Sequence, residues 1–370
     1  MIPVNTPLLN GNEKKYVLKA LEDGWISSEG PAVKSFEDKF AFRVARKHGI
    51  AVANGSVALD LAVFACGIGD GDEVIMPSFT IISPAAAVAR VGAKPVLVDS
   101  DPVTWNMDVG KIEEKITKST KAIIIVHIYG LPVDMNPVLT LAKKYRLLVI
   151  EDAAEMHGQT YQGKPCGSFG DISTFSFYPN KHITTGEGGM IVCNDDQLAE
   201  RCRSLRNLAF VPERRFVHYE LGWNYRITNL QCALGLAQLE RLDEFVSKKR
   251  ALGLYYTERL SSLKDYIDLP LETTLYADNI YWVYGLVLRP NVPFDAQAAI
   301  KTLAIEGIGS RPFFYPMHKQ PVFKKKGWFV DEDYPIAENL GERGFYIPSG
   351  LALSEREMDV VVEKVYKIFK

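Results

Sequence analysis

The chain has no uninterrupted apolar run of about 18 residues, no Cys-x-x-Cys pair, no internal repeat and no low-complexity tract. Each absence removes a class of protein. Without the apolar run there is no candidate membrane-spanning helix, and Met1-Ile-Pro-Val-Asn-Thr-Pro-Leu8 lacks the basic stretch followed by an apolar core that marks a secretory leader, so a cytosolic protein is expected. The five cysteines (Cys66, Cys166, Cys193, Cys202 and Cys232) are odd in number and irregularly spaced. They support neither a disulfide framework nor a zinc site, and read as reduced, mostly structural thiols. Net charge is also scarce: 43 Lys and Arg against 45 Asp and Glu leave −2, which gives no field suited to gripping a nucleic-acid backbone.

What is present is ordinary globular material, 47% hydrophobic and 24% charged, in 370 residues, long enough for two domains. The expected division is residues 1–245 and 246–370. From about residue 49 to 193, short apolar runs alternate with helical-period stretches, the pattern of a mainly parallel sheet covered by crossover helices. Seven strands are predicted: Ile50–Ala53, Glu73–Met76, Pro95–Val98, Ala122–Val126, Leu147–Ile150, Ile172–Phe177 and Met190–Cys193. Several are continuous β-branched runs, as expected of strands buried on both faces. Helical spacing marks 56–67, 82–91, 108–117 and 134–146, and 228–260 reads as one long proline-free helix leading to a smaller α+β region with helices near 295–306 and 354–369.

Two residues of that sheet carry a specific chemistry. Asp152 closes the strand Leu147–Ile150 at a carboxyl end, where ligands gather in open α/β sheets, and Lys181 emerges between Ser173–Tyr178 and the glycine-rich Thr184-Thr-Gly-Glu-Gly-Gly189. An amine that can form an imine, with an acid that can keep a pyridine nitrogen protonated, is the pair that pyridoxal phosphate chemistry requires. The plainer uses are a helix-capping aspartate and a solvent-exposed lysine beside a turn. Asn54-Gly55-Ser56-Val57 lies where a strand should turn into a helix, so its amides and the Ser56 hydroxyl suit a phosphate, or Ser56 is a simple helix cap. Ser176 is a second candidate phosphate hydroxyl, or a buried hydroxyl bonded to a backbone carbonyl.

The ordered set Trp25-Ile-Ser27-Ser28, Asn54-Gly-Ser56, Gly69–Pro77, Val149-Ile-Glu-Asp-Ala-Ala-Glu155, Asn180-Lys181 with Thr184–Met190, and Gly222-Trp-Asn224-Tyr-Arg226 resembles the DegT/DnrJ/EryC1/StrS sugar aminotransferases over nearly the whole chain. The resemblance implies the fold-type I architecture, with a seven-stranded sheet in the large domain. It implies Lys181 as the covalent attachment of pyridoxal 5′-phosphate, Asp152 at the ring nitrogen, and Gly55, Ser56, Val57 and Ser176 around the phosphate. Glu155 would lie by the ring and its hydroxyl, unless it is a solvated helix-face carboxylate. Asn224 would reach the phosphate of a neighbouring subunit, implying a homodimer with shared sites, unless it is a loop or cap residue. Where the family commonly stacks an aromatic ring on the cofactor this chain has Ile81, so either Ile81 makes an apolar contact or Phe79 takes over.

The nearest subgroup implies ping-pong transamination at C4 of a nucleotide-linked 4-keto-6-deoxyhexose, GDP-4-keto-6-deoxymannose first. L-glutamate is the implied amino donor and pyridoxamine 5′-phosphate the stored form. Trp25, Ser27, Ser28, Arg311 and His318 are the implied substrate contacts; the alternative for His318 is a satisfied core histidine. Competing readings are a pyridoxamine-dependent 3-dehydratase, which has histidine at the imine position, an aminotransferase for dTDP- or UDP-linked sugars, and a cofactor-free binding protein on the same fold. The order Asn180-Lys181-His182 favours lysine at that position.

Overall fold

A computed structural model describes residues 1–369. Seven strands build the main sheet: β1 (His48–Val52), β2 (Glu73–Pro77), β3 (Lys94–Val98), β4 (Thr120–Val126), β5 (Leu148–Asp152), β6 (Ile172–Ser176) and β7 (Gly189–Cys193). Their order is β1-β7-β6-β5-β4-β2-β3. The pairs β2 with β3, β2 with β4, β4 with β5 and β5 with β6 are parallel. Strand β7 runs antiparallel to both of its neighbours, β6 and β1.

Alternation along each strand explains the two cores, because successive side chains leave opposite faces. Ile50, Val52, Val74, Met76, Ile124 and Ile150 pack with the helices Gly55–Ala65, Ser83–Arg90 and Asp196–Arg206 on one face. Ala51, Ile75, Ile123, Ile125, Val149 and Val192 pack on the other, with Pro31–Arg43, Met135–Tyr145 and Asn229–Leu239. Burial on both sides is what the continuous apolar runs required.

A second, antiparallel sheet joins β8 (Ile267–Asp268), β9 (Tyr284–Leu288), β10 (Arg311–Pro312) and β11 (Gly344–Ile347) in the order β8-β9-β11-β10. One face of β9 buries Tyr284, Leu286 and Leu288 in a third core with Leu303, Val361 and Val365. On the other, Val287, with Val283 just before the strand, enters the core of the main sheet beside Phe313. The expected division after residue 245 falls inside the helix Leu242–Leu260: Leu242, Phe245 and Val246 pack under the main sheet, and Leu252, Tyr256 and Leu260 in the third core.

Two expected helices differ. Residues 108–117 hold only the short 3-10 turns Val109–Lys111 and Glu113–Lys115, the first begun by the Asp108 carboxylate accepting the Gly110 N–H. The segment 228–260 breaks into Asn229–Leu239 and Leu242–Leu260. The first piece starts with a capping box, in which Thr228 accepts from the Gln231 N–H and Gln231 reaches back to Thr228. No helix among the described residues is long and apolar enough to cross a membrane.

Candidate active site

The carboxyl ends of β4, β5 and β6 lie together, in a register that sets Val126 beside Asp152 and Asp152 beside Thr174. A cavity of about 800 Å³ opens there, within the size range of small-molecule sites. One wall is the start of the helix Gly55–Ala65. Asn54 caps that helix, its side-chain oxygen accepting the Val57 N–H at 3.0 Å, so Ser56 is not the cap. The amides of Gly55 and Ser56 precede the helix ladder and lack an intrahelical acceptor. Ser56 Oγ pairs with Ser83 Oγ at 2.8 Å. Glycine is required at 55, because a Cβ there would stand 2.7 Å from the Ser176 Cβ, bringing the helix start against the end of β6.

The opposite wall carries a buried amine and two buried acids. The Lys181 side chain is 10% exposed, and its Nζ lies 3.9 Å from Glu155 Oε1 and 3.8 Å from the centroid of the Trp282 ring. Burial pushes the Lys181 amine down, opposed by the charges of Glu155 and then Asp152. Asp152, 3% exposed, accepts one backbone bond, from Ala154 N–H at 3.1 Å. Burial raises its carboxyl to about 6. Glu155 is buried, not a solvated helix-face acid; it accepts the Tyr129 N–H at 2.6 Å, and burial pushes it up to about 8.

His127 also lines the cavity. Its Nδ1 accepts the Val133 N–H at 3.0 Å, which leaves the proton on Nε2, 3.1 Å from Glu151. The neighbour of Lys181 in sequence, His182, faces away into the core, bonded to the Ile280 carbonyl and held neutral by burial, which lowers it to about 3.

Gly55, Ser56, Val57, Ile81, Asp152, Glu155, Ser176 and Lys181 therefore all line one cavity. Ile81 is half exposed on its rim, while Phe79 is buried among Tyr129, Phe313 and Phe314, outside the lining. Asn224 is exposed and belongs to no wall of this chain's own cavity. Trp25, Ser27 and Ser28 lie on a separate segment that Asn229 ties down through the carbonyls of Trp25 and Ser27. Arg311 is exposed on β10, paired across the sheet with Tyr346, whose ring lines the cavity. His318 is 2% exposed and lies outside the lining, its Nε2 bonded to Glu338 Oε1 at 2.8 Å and its ring against Tyr334.

Trp282, Tyr129, His127 and Asn180 had no place among the sequence candidates. Trp282 stood in the strand-like Tyr281–Leu288, and an aromatic run there gave no reason to single out one ring.

Residues 7–366 match the model of the DegT/DnrJ/EryC1/StrS aminotransferase family. The chain is 46% identical to a GDP-perosamine synthase of Caulobacter vibrioides, over 98% of this chain and 96% of that protein. It is 43% identical to a GDP-perosamine synthase of Escherichia coli O157:H7, over 100% and 98%. Among solved structures, an aminotransferase from Psychrobacter cryohalolentis superposes with a TM-score of 0.92 at 30% identity, covering 98% of each chain.

Proposed function

Since the chain belongs to the DegT/DnrJ/EryC1/StrS aminotransferase family, we propose that it moves an amino group from L-glutamate to C4 of GDP-4-keto-6-deoxymannose, giving GDP-perosamine, with pyridoxal phosphate as cofactor. The observation that carries the substrate reading is identity along essentially the whole chain to proteins named for that product.

The donor set of the cavity fits the cofactor. It offers one buried amine, a buried strand-end carboxylate, and a helix start whose free amides and nearby hydroxyls suit a dianion. Pyridoxal phosphate, when bound, supplies an electron sink and a carrier for the amino group. In this reading the Gly55 and Ser56 amides and the Ser56 and Ser176 hydroxyls hold its phosphate, with Val57, whose N–H Asn54 takes, in the same lining. Asp152 keeps the proton on the ring nitrogen, and a cationic N–H facing it offsets the burial that raises its carboxyl. Lys181 anchors the cofactor and, once free, shuttles a proton at C4 of the sugar; burial lowers the amine and so eases the release of the proton that its cationic form carries.

Glu155 stands close enough to exchange protons with that amine through a hydroxyl or water. Ile81 would give an apolar contact at the rim. Arg311 is a cation for the diphosphate from beside the cavity. Asn224 would serve the cavity of a second copy in a homodimer working in the cytoplasm, and its exposure outside this chain's own cavity supports that use. Trp25, Ser27 and Ser28 would meet the sugar nucleotide across the same interface.

The test is mass spectrometry of products from GDP-, dTDP- and UDP-linked 4-keto-6-deoxy sugars incubated with the protein, pyridoxal phosphate and glutamate. A GDP-linked 4-amino sugar is expected as the dominant product. A dTDP-linked product formed far faster overturns the substrate, and loss of the C3 hydroxyl without amination overturns the reaction.

A further inference from the structure

Trp282 enters the cavity from the segment before β9 and is fixed at three points. Its backbone N–H donates to the Tyr129 carbonyl at 3.1 Å. Its own carbonyl accepts from the buried Lys249 Nζ at 2.9 Å, an amine that also donates to the Ser349 carbonyl at 2.5 Å. The indole N–H donates to the Asn180 carbonyl at 2.8 Å, one residue before Lys181. So held, the ring presents its face to Lys181 Nζ at 3.8 Å.

Lys181 Nζ makes no hydrogen bond among the described residues, and its nearest acid oxygen, on Glu155, is 3.9 Å away. The ring face and the Glu155 carboxylate thus stand at similar distances from the amine, 3.8 and 3.9 Å. Tyr129 ties the two sides together: its N–H serves Glu155 and its carbonyl serves Trp282. That double use needs the left-handed turn at Tyr129 (φ 57°) and Gly130 (φ 109°), where a Cβ on Gly130 would come within 2.5 Å of the Tyr281 nitrogen.

We propose that Trp282 is a positioning residue for Lys181: its ring face retains the amine in the cationic form opposite Glu155, and its indole N–H fixes the loop that carries the amine. This rests on the reading of Lys181 as the cofactor-bearing amine. The groups facing Lys181 are Asp152 and Glu155 at and after the end of β5, His157 further along that loop, His127 after β4, His182 beside it in the chain, and Lys249 behind Trp282. His157 and His182 are held neutral by burial, so the negative face of the indole acts alongside the two acids.

The test measures Lys181 itself in cofactor-free protein, by competitive acetylation from about pH 6 to pH 11 and mass spectrometry of its peptide. Trp282→Leu removes the ring face and keeps the site apolar, so the Lys181 midpoint should fall by about one pH unit, and by less in Trp282→Phe. A folded Trp282→Leu with an unchanged or raised midpoint overturns the proposal. If the leucine variant does not fold, Trp282→Phe decides alone: it lacks the N–H, and hydrogen exchange of residues 178–183 must accelerate, unchanged exchange being the overturning result. Borohydride reduction of wild type with pyridoxal phosphate separates the two failures. No trapped adduct on Lys181 defeats the cofactor reading while the labelling result stands.

Discussion

Glu151 and Asp152 are consecutive on β5 and equally hidden, yet they face opposite surroundings. Glu151 is saturated: it accepts from Gly167 N–H at 2.5 Å, Phe169 N–H at 2.9 Å and Ser173 Oγ at 2.9 Å, with His127 Nε2 at 3.1 Å. Arg46 completes that region, donating to the carbonyls of Gly167, Phe169 and Gly170. Asp152 has one backbone donor, and burial lifts its proton affinity. An acid whose demands are met holds the chain together, while one left short of partners is poised for a ligand. The same contrast separates Arg46 from Lys181, the first ringed by carbonyls and the second leaning on an indole.

Substitutions can break this contrast or sharpen it. The largest effect should come from Lys181→Ala, which is expected to cut amino-sugar formation by roughly 10⁴-fold or more. Its cofactor-free melting temperature should stay at or above wild type, since a buried amine without hydrogen bonds is lost. Activity within tenfold of wild type would end the assignment. Next, Glu151→Leu should cost about 3–5 kcal/mol in denaturant unfolding, because the Gly167 and Phe169 amides and the Ser173 hydroxyl lose their acceptor and the buried Arg46 loses a nearby opposite charge. Asp152→Asn should change the same measurement by less than about 1 kcal/mol and strike activity instead. Equal destabilisation by the two would dissolve the distinction between them.

Glu155 gives a pH signature. Its folded carboxyl sits near 8 against an ordinary 4.5, so the folded state keeps a proton that the unfolded chain releases between those values. Stability is therefore lost as pH rises through that window. Cofactor-free Glu155→Gln should melt roughly 2–5 °C above wild type at about pH 8 and match it near pH 4.5. A gain of the same size at both values would assign the effect to packing. The smallest change concerns the rim: Ile81→Phe, adding a ring where the chain has an aliphatic side chain, should tighten pyridoxal phosphate by about 2- to 10-fold in equilibrium dialysis. Weaker binding would mean that the rim has no room for a ring.

Much of this was legible from residue order. All seven strands of the main sheet were marked by their apolar runs, and Asp152 and Lys181 by their positions at strand ends. What local pattern could not supply was burial imposed from afar. Glu155 looks like an exposed helix acid until the Tyr129 turn closes over it, and Trp282 arrives from a distant part of the chain. The aromatic segment 312–318 offered His318 as a ligand contact, and its burial, with Nε2 on Glu338, was not legible from that segment. The helix expected at 108–117 yielded to the Asp108 side chain, which competes for the Gly110 amide and starts a tighter turn. The continuous helix expected from 228 to 260 ignored the break at Glu240 and Arg241, which no proline or glycine announces.

Strand β1 has a single partner in its sheet, β7, in a register that joins His48 to Cys193 and Val52 to Gly189. The first half of the cavity is thus translated early and must wait. During synthesis β1, which leads into the cradle at Gly55, has no partner in the sheet until β7 has left the ribosome, about 140 residues and on the order of ten seconds later. Truncated chains ending before Gly189 would lack both the partner for β1 and the close approach of that glycine to the Asn54 carbonyl. Competence to take up a cofactor should consequently appear abruptly with chain length.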